Sequence, residues 1–383
     1  MNRARRILGP AVVPALAIVS AFIVGSIFIL ITDFTNLQRL GTDPIGAIGS
    51  AAGGVVAAYQ AMIVGAFGDP ARIVAAIQGG TPRQIAGAIR PLTETLVAAT
   101  PLIFTGLAAA IAFRAKLYNI GAEGQLYAGA LAAVAIGAGA VEAPPYLLVP
   151  LIMAAAALAG AMLMLVPTLL RTRLGVDEVV TTLLLNFVVL LFVQMMLEGP
   201  LKDPMGGGWP QSAPILPEGS LPPLFERMRL HAGFIIALIA AVLTYVLVAR
   251  TVLGLEIRAV GENAAAARYA GISVTRVMVI AGVLSGALAG LAGASEVAGL
   301  KGYLTADMSR GFGYAGIVVA MIAGLDALAV VPAAIFIAGI FVGADTMGRT
   351  LGVSNYIADL IVALSLLCVL VSGLFVRFHV RLR

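Results

Sequence analysis

Charged side chains are scarce in this sequence, and their scarcity indicates the class of protein. Only 11% of the 383 residues are Asp, Glu, Lys or Arg, whereas a soluble domain carries about a quarter. Hydrophobic residues make up 61% and the mean hydropathy is +1.03. The sequence also lacks the segments of alternating apolar and polar residues that are typical of a membrane-spanning barrel. We therefore expect an all-α protein that crosses a membrane several times.

Cysteine and the common catalytic motifs are lacking as well. The single cysteine, Cys368, excludes an intrachain disulfide and any cysteine-based metal spacing. Neither a GxxxxGK[ST] loop nor an HExxH motif occurs, and the two histidines, His231 and His379, lie at the ends of apolar runs. We expect no enzyme and no cofactor in this chain. The net charge of +5 comes from loops, where it indicates membrane topology rather than nucleic-acid binding.

Long apolar runs rich in alanine and in glycine (44 residues) dominate the rest of the sequence. Small residues let helices approach closely in lipid, which favours a tight bundle. Ten runs are predicted to cross the membrane, at residues 10–32, 95–112, 124–139, 146–170, 179–197, 232–249, 277–297, 312–323, 327–344 and 356–376.

The chain divides into three parts by composition. Residues 1–32 form a basic N-terminus and the first span, and residues 94–383 form the core. Between them, the segment 33–93 is expected to lie outside or at the interface, because its middle, 44–67, is built from Ala and Gly and has a weak drive to insert. Arginines at both chain ends place both termini in the cytoplasm.

A polar island, FRAKLYNIGAEGQ at residues 113–125, interrupts the apolar runs. Irregular backbone at membrane depth is tolerated only where it lines protein or a water-filled cavity. A second break, at 298–316, falls at a comparable place in the other half, and such matched breaks indicate a transport site. The candidate pathway residues are Tyr118, Asn119, Glu123, Gln125, Tyr127, Glu296 and Tyr314.

Several of these polar residues have two interpretations. Glu123 either contacts solute or pairs with Arg114 or Lys116 to fix the helix break. Glu296 either lines the path or reaches water at the outer surface. For Asn186, in the middle of a span, an interhelical hydrogen bond is favoured over solute binding.

Two loops stand out. The loop at 198–231 is rich in Pro and Gly, holds the only tryptophan, Trp209, and is expected to be an external cover. The loop at 250–276 is expected in the cytoplasm, where Asn263 as N-cap, four alanines and a C-terminal glycine predict a short helix across 263–270. The glycines at 254, 261 and 271 are interpreted as turns around it.

The polar island and the 250–276 loop resemble the permease subunits of bacterial ABC importers that take up nucleosides and simple sugars, which are related to ribose and branched-chain amino acid permeases. Three further strings agree: DEVVTTLLLNF from Asp177, GALAGLAGASEVAGL from Gly286 and GFGYAGIVVAMIAG from Gly311. The resemblance covers residues 92–376, while the segment 71–91 is longer than is usual in the family. It implies a type II-like importer bundle with interrupted helices. It also implies a coupling helix that contacts the ATP-binding subunit through Gly261, Glu262, Asn263, Arg268, Tyr269 and Gly271.

The same resemblance implies a set of partners in a bacterial inner membrane. These are an ATP-binding subunit that holds ATP and Mg, an external binding protein or lipoprotein, and a second permease in a heterodimer. Nucleosides are the favoured substrate, because the form FRAxLxNIGAEGQ is more similar to nucleoside permeases than to ribose permeases. The alternatives are a simple-sugar importer, an ion-coupled secondary transporter that uses Glu123 or Glu296, and a membrane enzyme, which the missing acidic clusters disfavour.

Overall fold

The fold is described from a computed structural model that covers residues 19–39, 41–352, 354, 356–357, 359–364 and 367–368. In these residues the longer secondary-structure elements are helices, and β-pairing is limited to isolated bridges in loops. In chain order the helices are α1 (Val19–Thr32), α2 (Phe34–Arg39), α3 (Pro44–Phe67), α4 (Pro70–Gly79), α5 (Pro82–Arg114), α6 (Ala122–Gly137), α7 (Pro145–Leu169), α8 (Glu178–Glu198), α9 (Gly233–Arg250), α10 (Val252–Glu262), α11 (Ala264–Tyr269), α12 (Val274–Glu296), α13 (Phe312–Ile322) and α14 (Val330–Leu351).

In the described part of the chain, seven helical stretches are long and apolar enough to cross a membrane: Pro44–Gly79, Pro82–Arg114, Pro145–Leu174, Glu178–Glu198, Gly233–Arg250, Val274–Lys301 and Val330–Leu351. Helices α1 and α13 are shorter apolar helices. These findings confirm the all-α, polytopic class. The number of crossings stays a prediction, because most of the last expected span, 356–376, lies outside the described residues.

The segment 33–93 is largely helical. Its middle forms one continuous helix, α3, of 24 residues, which is about 36 Å long at 1.5 Å per residue. That length suffices for a crossing, and the interfacial placement of this segment stays a prediction. Helix α5 begins at Pro82, thirteen residues before the expected start at 95, and runs without interruption for 33 residues.

The described residues form two compact units, one within residues 1–95 and 335–383 and one of residues 96–334. Helices α5 and α14 each contribute residues to both. In the first unit, the Thr95 hydroxyl donates to the Ala66 carbonyl at 2.6 Å, which fastens α5 to the end of α3.

The centre of the second unit is a close three-helix contact of α6, α7 and α12. Glycines permit it: a Cβ on Gly160 would collide with the backbone of Gly286, and a Cβ on Gly293 would collide with the Leu126 carbonyl. Helices α7 and α12 both continue into a single π-helical turn, Leu170–Leu174 and Val297–Lys301, and each turn stops at a glycine with positive φ. This packing places the start of α6 and the segment before α13 beside each other.

Candidate transport site and coupling loop

The two interrupted regions meet in the second unit, as the matched breaks predicted. The first break lies between the end of α5 at Arg114 and the start of α6 at Ala122. The second ends at Gly311, which has a φ of 77° and directly precedes α13. The Gly313 N–H, in the first turn of α13, donates to Glu123 Oε2 at 2.7 Å. The N-termini of two short helices therefore converge at one carboxylate.

Glu123 caps the second of these helices. Its side chain is 4% exposed and also accepts a hydrogen bond from Ser309. The Ser309 hydroxyl in turn accepts from the Phe312 N–H at 3.1 Å. A negative charge at a helix N-terminus is favourable, because it faces the positive end of the helix dipole. This arrangement fits the interpretation in which Glu123 fixes the break.

The interpretation that Glu123 pairs with Arg114 or Lys116 was wrong, however. Arg114 Nε donates to the Leu325 carbonyl at 2.9 Å, and Lys116 is exposed. The groups that hold Glu123 are a backbone amide and a serine, and nothing in the order of residues along the chain indicates either of them.

A second polar cluster joins Asn119, in the first break, to residues of the neighbouring helices. The Asn119 side-chain amide donates to Gln125 Oε1 at 2.8 Å and to the Ser285 hydroxyl at 2.9 Å. Gln125 returns a bond to Asn119 Oδ1, and the Ser285 hydroxyl donates to the Ala108 carbonyl. Asn119 and Gln125 are at most 1% exposed. These amides satisfy one another and tie α5, α6 and α12 together, a role in which Ser285 had not been predicted.

Asn186 on α8 makes interhelical hydrogen bonds, as predicted. Its Oδ1 accepts from the Gly124 N–H at 2.8 Å, and its Nδ2 donates to the Ile120 carbonyl at 3.0 Å. The same Nδ2 lies 3.0 Å from the Tyr314 hydroxyl. Asn186 therefore connects the start of α6 with α13.

Two other candidate pathway residues are enclosed in the protein. Tyr127 is 2% exposed; its hydroxyl donates to the Ala306 carbonyl and accepts from the Ser309 N–H. Glu296 is 2% exposed at the end of α12, within electrostatic reach of Lys301 and Arg229. Glu296 therefore does not reach the surface of this chain.

Tyr118 and Tyr314 are the two candidate pathway residues with a large exposed surface, 41% and 39% respectively. The backbone N–H of Tyr118 donates to Glu178 Oε1 at 3.3 Å, and Glu178 pairs with Arg171 at 3.1 Å. Phe113 lies edge-on to the Tyr118 ring, with ring centres 5.3 Å apart. Both tyrosines are therefore held by neighbouring groups, while about 40% of each residue stays exposed.

The short helix predicted in the 250–276 loop is confirmed as α11. Asn263 Oδ1 accepts from the N–H groups of Ala265 and Ala266 at 3.0 and 3.1 Å. At the other end, Gly271, with a φ of 85°, donates to the Arg268 carbonyl, and Ile272 donates to the Ala267 carbonyl. This pair of bonds is a Schellman cap. Both predicted caps are therefore present.

The interpretation of Gly254 and Gly261 as turns was wrong. Both lie inside α10, Val252–Glu262, a helix that had not been expected. A Cβ on Gly261 would overlap the Arg114 carbonyl oxygen, so this glycine is needed for the close approach of α10 to the end of α5. Gly261 is buried, whereas the other five residues that the resemblance implies in coupling are exposed, with Tyr269 at 96%.

Loop 199–232 contains no α-helix in the structure and packs onto the break before α13. Its Ile215, Leu221 and Ser212 N–H groups donate to the carbonyls of Gly302, Ala298 and Leu304. His231, at its end, is 2% exposed, packs against Gly299 and accepts from the Gly233 N–H through Nδ1. Burial lowers the pKa of His231 to about 4, so the ring is neutral. Among the described residues, no cluster of His, Cys, Asp and Glu could hold a metal ion.

Comparison with known proteins gives consistent matches. The model of the family described as branched-chain amino acid transport system / permease component matches residues 92–370. The glucose ABC transporter permease protein TsgB13 of Haloferax volcanii is 39% identical over 76% of this chain and 78% of its own length. The guanosine permease NupP of Bacillus subtilis is 38% identical over 77% and 84%, and the nucleoside permease NupB of Lactococcus lactis is 30% identical over 90% and 86%.

A second permease from each of these three organisms also matches, at 29%, 29% and 27% identity. No solved structure matches. The extent of the family match, together with relatives that are called ABC transporter permeases over most of their length, shows that the chain is a membrane-embedded ABC transporter permease of the branched-chain amino acid transport system / permease component family.

Proposed function

We propose that this chain forms one half of the translocation pathway of an ATP-driven nucleoside importer. The observation that carries the proposal is the pair of exposed tyrosines, Tyr118 and Tyr314, at the place where the two helix breaks meet. The face of a tyrosine ring offers a stacking surface to a flat base. The buried amides behind the rings hold this surface in place and have no free donors to bind a solute tightly, which suits a pathway that must release its cargo.

The choice between nucleoside and sugar rests on this stacking surface. The relative with 39% identity is called a glucose permease, and those with 38% and 30% identity are called guanosine and nucleoside permeases. Identity alone thus favours neither substrate. Sugar recognition relies on several free hydrogen-bond groups, whereas the side chains nearest the break are bonded to one another.

The partners follow from membership of the family. An ATP-binding subunit supplies ATP and Mg and contacts the exposed residues Glu262, Asn263, Arg268, Tyr269 and Gly271, with Gly261 holding α10 in position behind them. An external binding protein or lipoprotein delivers the solute. The second permease is a different chain, which is supported by the presence of two matching permeases in each of three organisms. The membrane is the bacterial cytoplasmic membrane, with both termini and loop 250–276 inside.

The test is uptake by the reconstituted importer with its ATP-binding subunit and binding protein. We expect ATP-dependent accumulation of labelled guanosine or uridine and none of labelled glucose. Tyr314→Ala should raise the apparent KM for the nucleoside about 5- to 150-fold, since stacking on an aromatic side chain contributes about 1–3 kcal/mol per base. Tyr314→Phe keeps the ring and should stay within a few-fold of wild type.

Tyr146→Ala is the matched control, because Tyr146 is 82% exposed, lies at the start of α7 and belongs to neither break. Accumulation of glucose in place of nucleosides would overturn the substrate assignment. Uptake that follows a proton gradient without ATP would overturn the importer itself and favour the ion-coupled alternative.

A further inference from the structure

A cavity between α5, α9, α10 and the turn that precedes α14 has no part in the pathway described above. Arg114, Arg258, Asp326, Tyr245 and Thr244 are among the residues that line it, and its volume is about 50 Å³. A single water needs about 10–15 Å³ of such space. The cavity thus has room for about three to five waters, or for the oxygens of one phosphate group.

Two arginines and one acid line this small space. The charges of Arg114 and Arg258 lie close enough to act unfavourably on each other, and Asp326 offsets part of that repulsion. The three side chains leave an excess of one positive charge. An anion in the cavity would remove the repulsion, because it would attract both guanidinium groups.

Backbone carbonyls orient both guanidinium groups. Arg114 Nε donates to the Leu325 carbonyl at 2.9 Å, and Arg258 donates to the Val248 carbonyl. A guanidinium group has five N–H donors, so each arginine retains donors for a further acceptor after these bonds. Leu325 itself has a φ of 62°, an unfavourable conformation for a residue with a side chain, and it places its carbonyl where Arg114 can reach it.

The surroundings favour a lipid as the source of the anion. Helix α9 buries one face, which includes Ala237 and Ala241, whereas Val242, Leu243 and Val246 on it are 44–63% exposed. The cavity is lined by the last two turns of α9, which ends at Arg250. An apolar helix face that leads to a basic pocket at the end of a span matches the two parts of an anionic phospholipid, its acyl chain and its phosphate.

We propose that this cavity binds the phosphate of an anionic phospholipid at the inner membrane surface. The inference rests on the orientation given under the proposed function, in which loop 250–276 is cytoplasmic. The bound phosphate would bridge the end of α5, beside the helix break, to α10, which precedes the coupling helix α11. Anionic lipid would thereby stabilise the arrangement of the loop that contacts the ATP-binding subunit.

The experiment uses the full transporter complex in nanodiscs of phosphatidylcholine alone or with phosphatidylglycerol. Native mass spectrometry counts the phosphatidylglycerol that stays bound, and fluorescence-detected size exclusion measures the melting temperature. We expect phosphatidylglycerol to be retained and to raise the melting temperature. Arg114→Gln and Arg258→Gln should each reduce retention about fivefold, the effect of about 1 kcal/mol per basic residue at an anionic surface.

Arg276→Gln is the matched control, since Arg276 is exposed on the first turn of α12 and does not line the cavity. Arg258→Lys keeps the charge and tests for misfolding, because it should retain more lipid than Arg258→Gln. Equal retention in the Arg276, Arg114 and Arg258 variants would overturn the site. Stabilisation of wild type by millimolar inorganic phosphate in phosphatidylcholine alone would overturn the lipid as the source.

Loss of the ATP-binding subunit from the Arg258 variant with no dependence on lipid would also contradict the proposal, since it would mean that the arginines bind that subunit. Failure of the lipid site leaves ATP-driven nucleoside uptake intact. Failure of the proposed function would instead appear in the uptake assay and leave lipid retention unchanged.

Discussion

At the scale of single residues, Glu123 shows how a carboxylate is accommodated among apolar helices. A buried acid is costly, and in this protein two donors and a helix N-terminus offset the cost. Glu123→Gln keeps an oxygen that can accept from the Gly313 N–H. We expect its assembly to match wild type and its uptake per assembled transporter to stay within about threefold, the effect of exchanging a charged for a neutral hydrogen bond.

Glu123→Ala removes the acceptor and leaves the Gly313 N–H unpaired in a buried place, which costs about 1–3 kcal/mol. This variant should melt earlier and assemble poorly. Uptake and the recovered complex are to be measured separately. A Gln variant that assembles normally but loses uptake more than tenfold would show that Glu123 contacts solute.

His231 predicts a dependence of stability on pH. Its folded pKa of about 4 lies below the 6.5 of a free imidazole, so between these values the unfolded chain binds a proton that the folded chain does not. The stability that neutral His231 contributes is complete above pH 6.5 and is lost as the pH falls toward 4. We expect the melting temperature to drop between pH 7.5 and pH 5.

His231→Asn is the control for this prediction. Its Oδ1 can accept from the Gly233 N–H as the histidine Nδ1 does, yet it does not titrate. The melting temperature of this variant should change less over the same pH range. If this variant loses as much stability as wild type over this pH range, a group other than His231 causes the pH dependence.

The sequence identified the important polar residues better than it identified their roles. NIGAEGQ stood out because polar residues are rare among apolar runs, and the asparagine in α8 stood out for the same reason. Which groups they bond depends on neighbours far along the chain: Asn119 and Ser285 are 166 residues apart, and Gly313 and Glu123 are 190 apart. Such pairings have no local signal.

At the scale of elements, helices with clear ends were predicted closely. The short helix α11 was predicted correctly because both of its caps are formed by residues next to it in the chain. Helix α10 was missed because Gly254 and Gly261 were interpreted as breaks, and α5 was predicted too short because its first turns are polar. Glycine permits both the close packing of helices and the formation of a turn. The sequence alone does not distinguish these two roles.

Gly261→Ala tests the packing role of α10. Its Cβ would overlap the Arg114 carbonyl, and backbone cannot move aside cheaply. We expect α10 to be displaced from α5, with much less ATP-binding subunit recovered in a pull-down and a lower ATPase activity coupled to transport.

Gly53→Ala is the matched glycine-to-alanine control for Gly261→Ala. Gly53 lies within α3, and a Cβ on it would meet nothing within 4 Å. Because alanine favours helix by about 1 kcal/mol over glycine, this change should be neutral or stabilising. Normal recovery of the ATP-binding subunit with the Gly261 variant would show that α10 does not position the coupling helix.

At the scale of the whole molecule, composition was enough for the class and the motifs were enough for the family. The division into two units, with α5 and α14 contributing to both, had no signal in the sequence, because the first unit combines described residues of 1–95 with described residues of 335–383, which are far apart along the chain. The oligomeric state likewise depends on surfaces that contact another chain, and contacts within one chain do not determine it.

The last prediction concerns the oligomeric state of the permease. Tyr118 and Tyr314 are exposed on this chain, and in the proposed importer a second permease lies across the pathway from them. Two matching permeases in each of three organisms favour a different chain for that place. We expect a tagged copy of this chain, co-expressed with an untagged copy and with a second permease from the same genome, to recover the second permease in a 1:1 ratio and little of its own copy. Tyr314→Cys should then form a crosslink to the second permease, while Tyr146→Cys should not. Recovery of the untagged copy alone would establish a homodimer and contradict the proposed pairing.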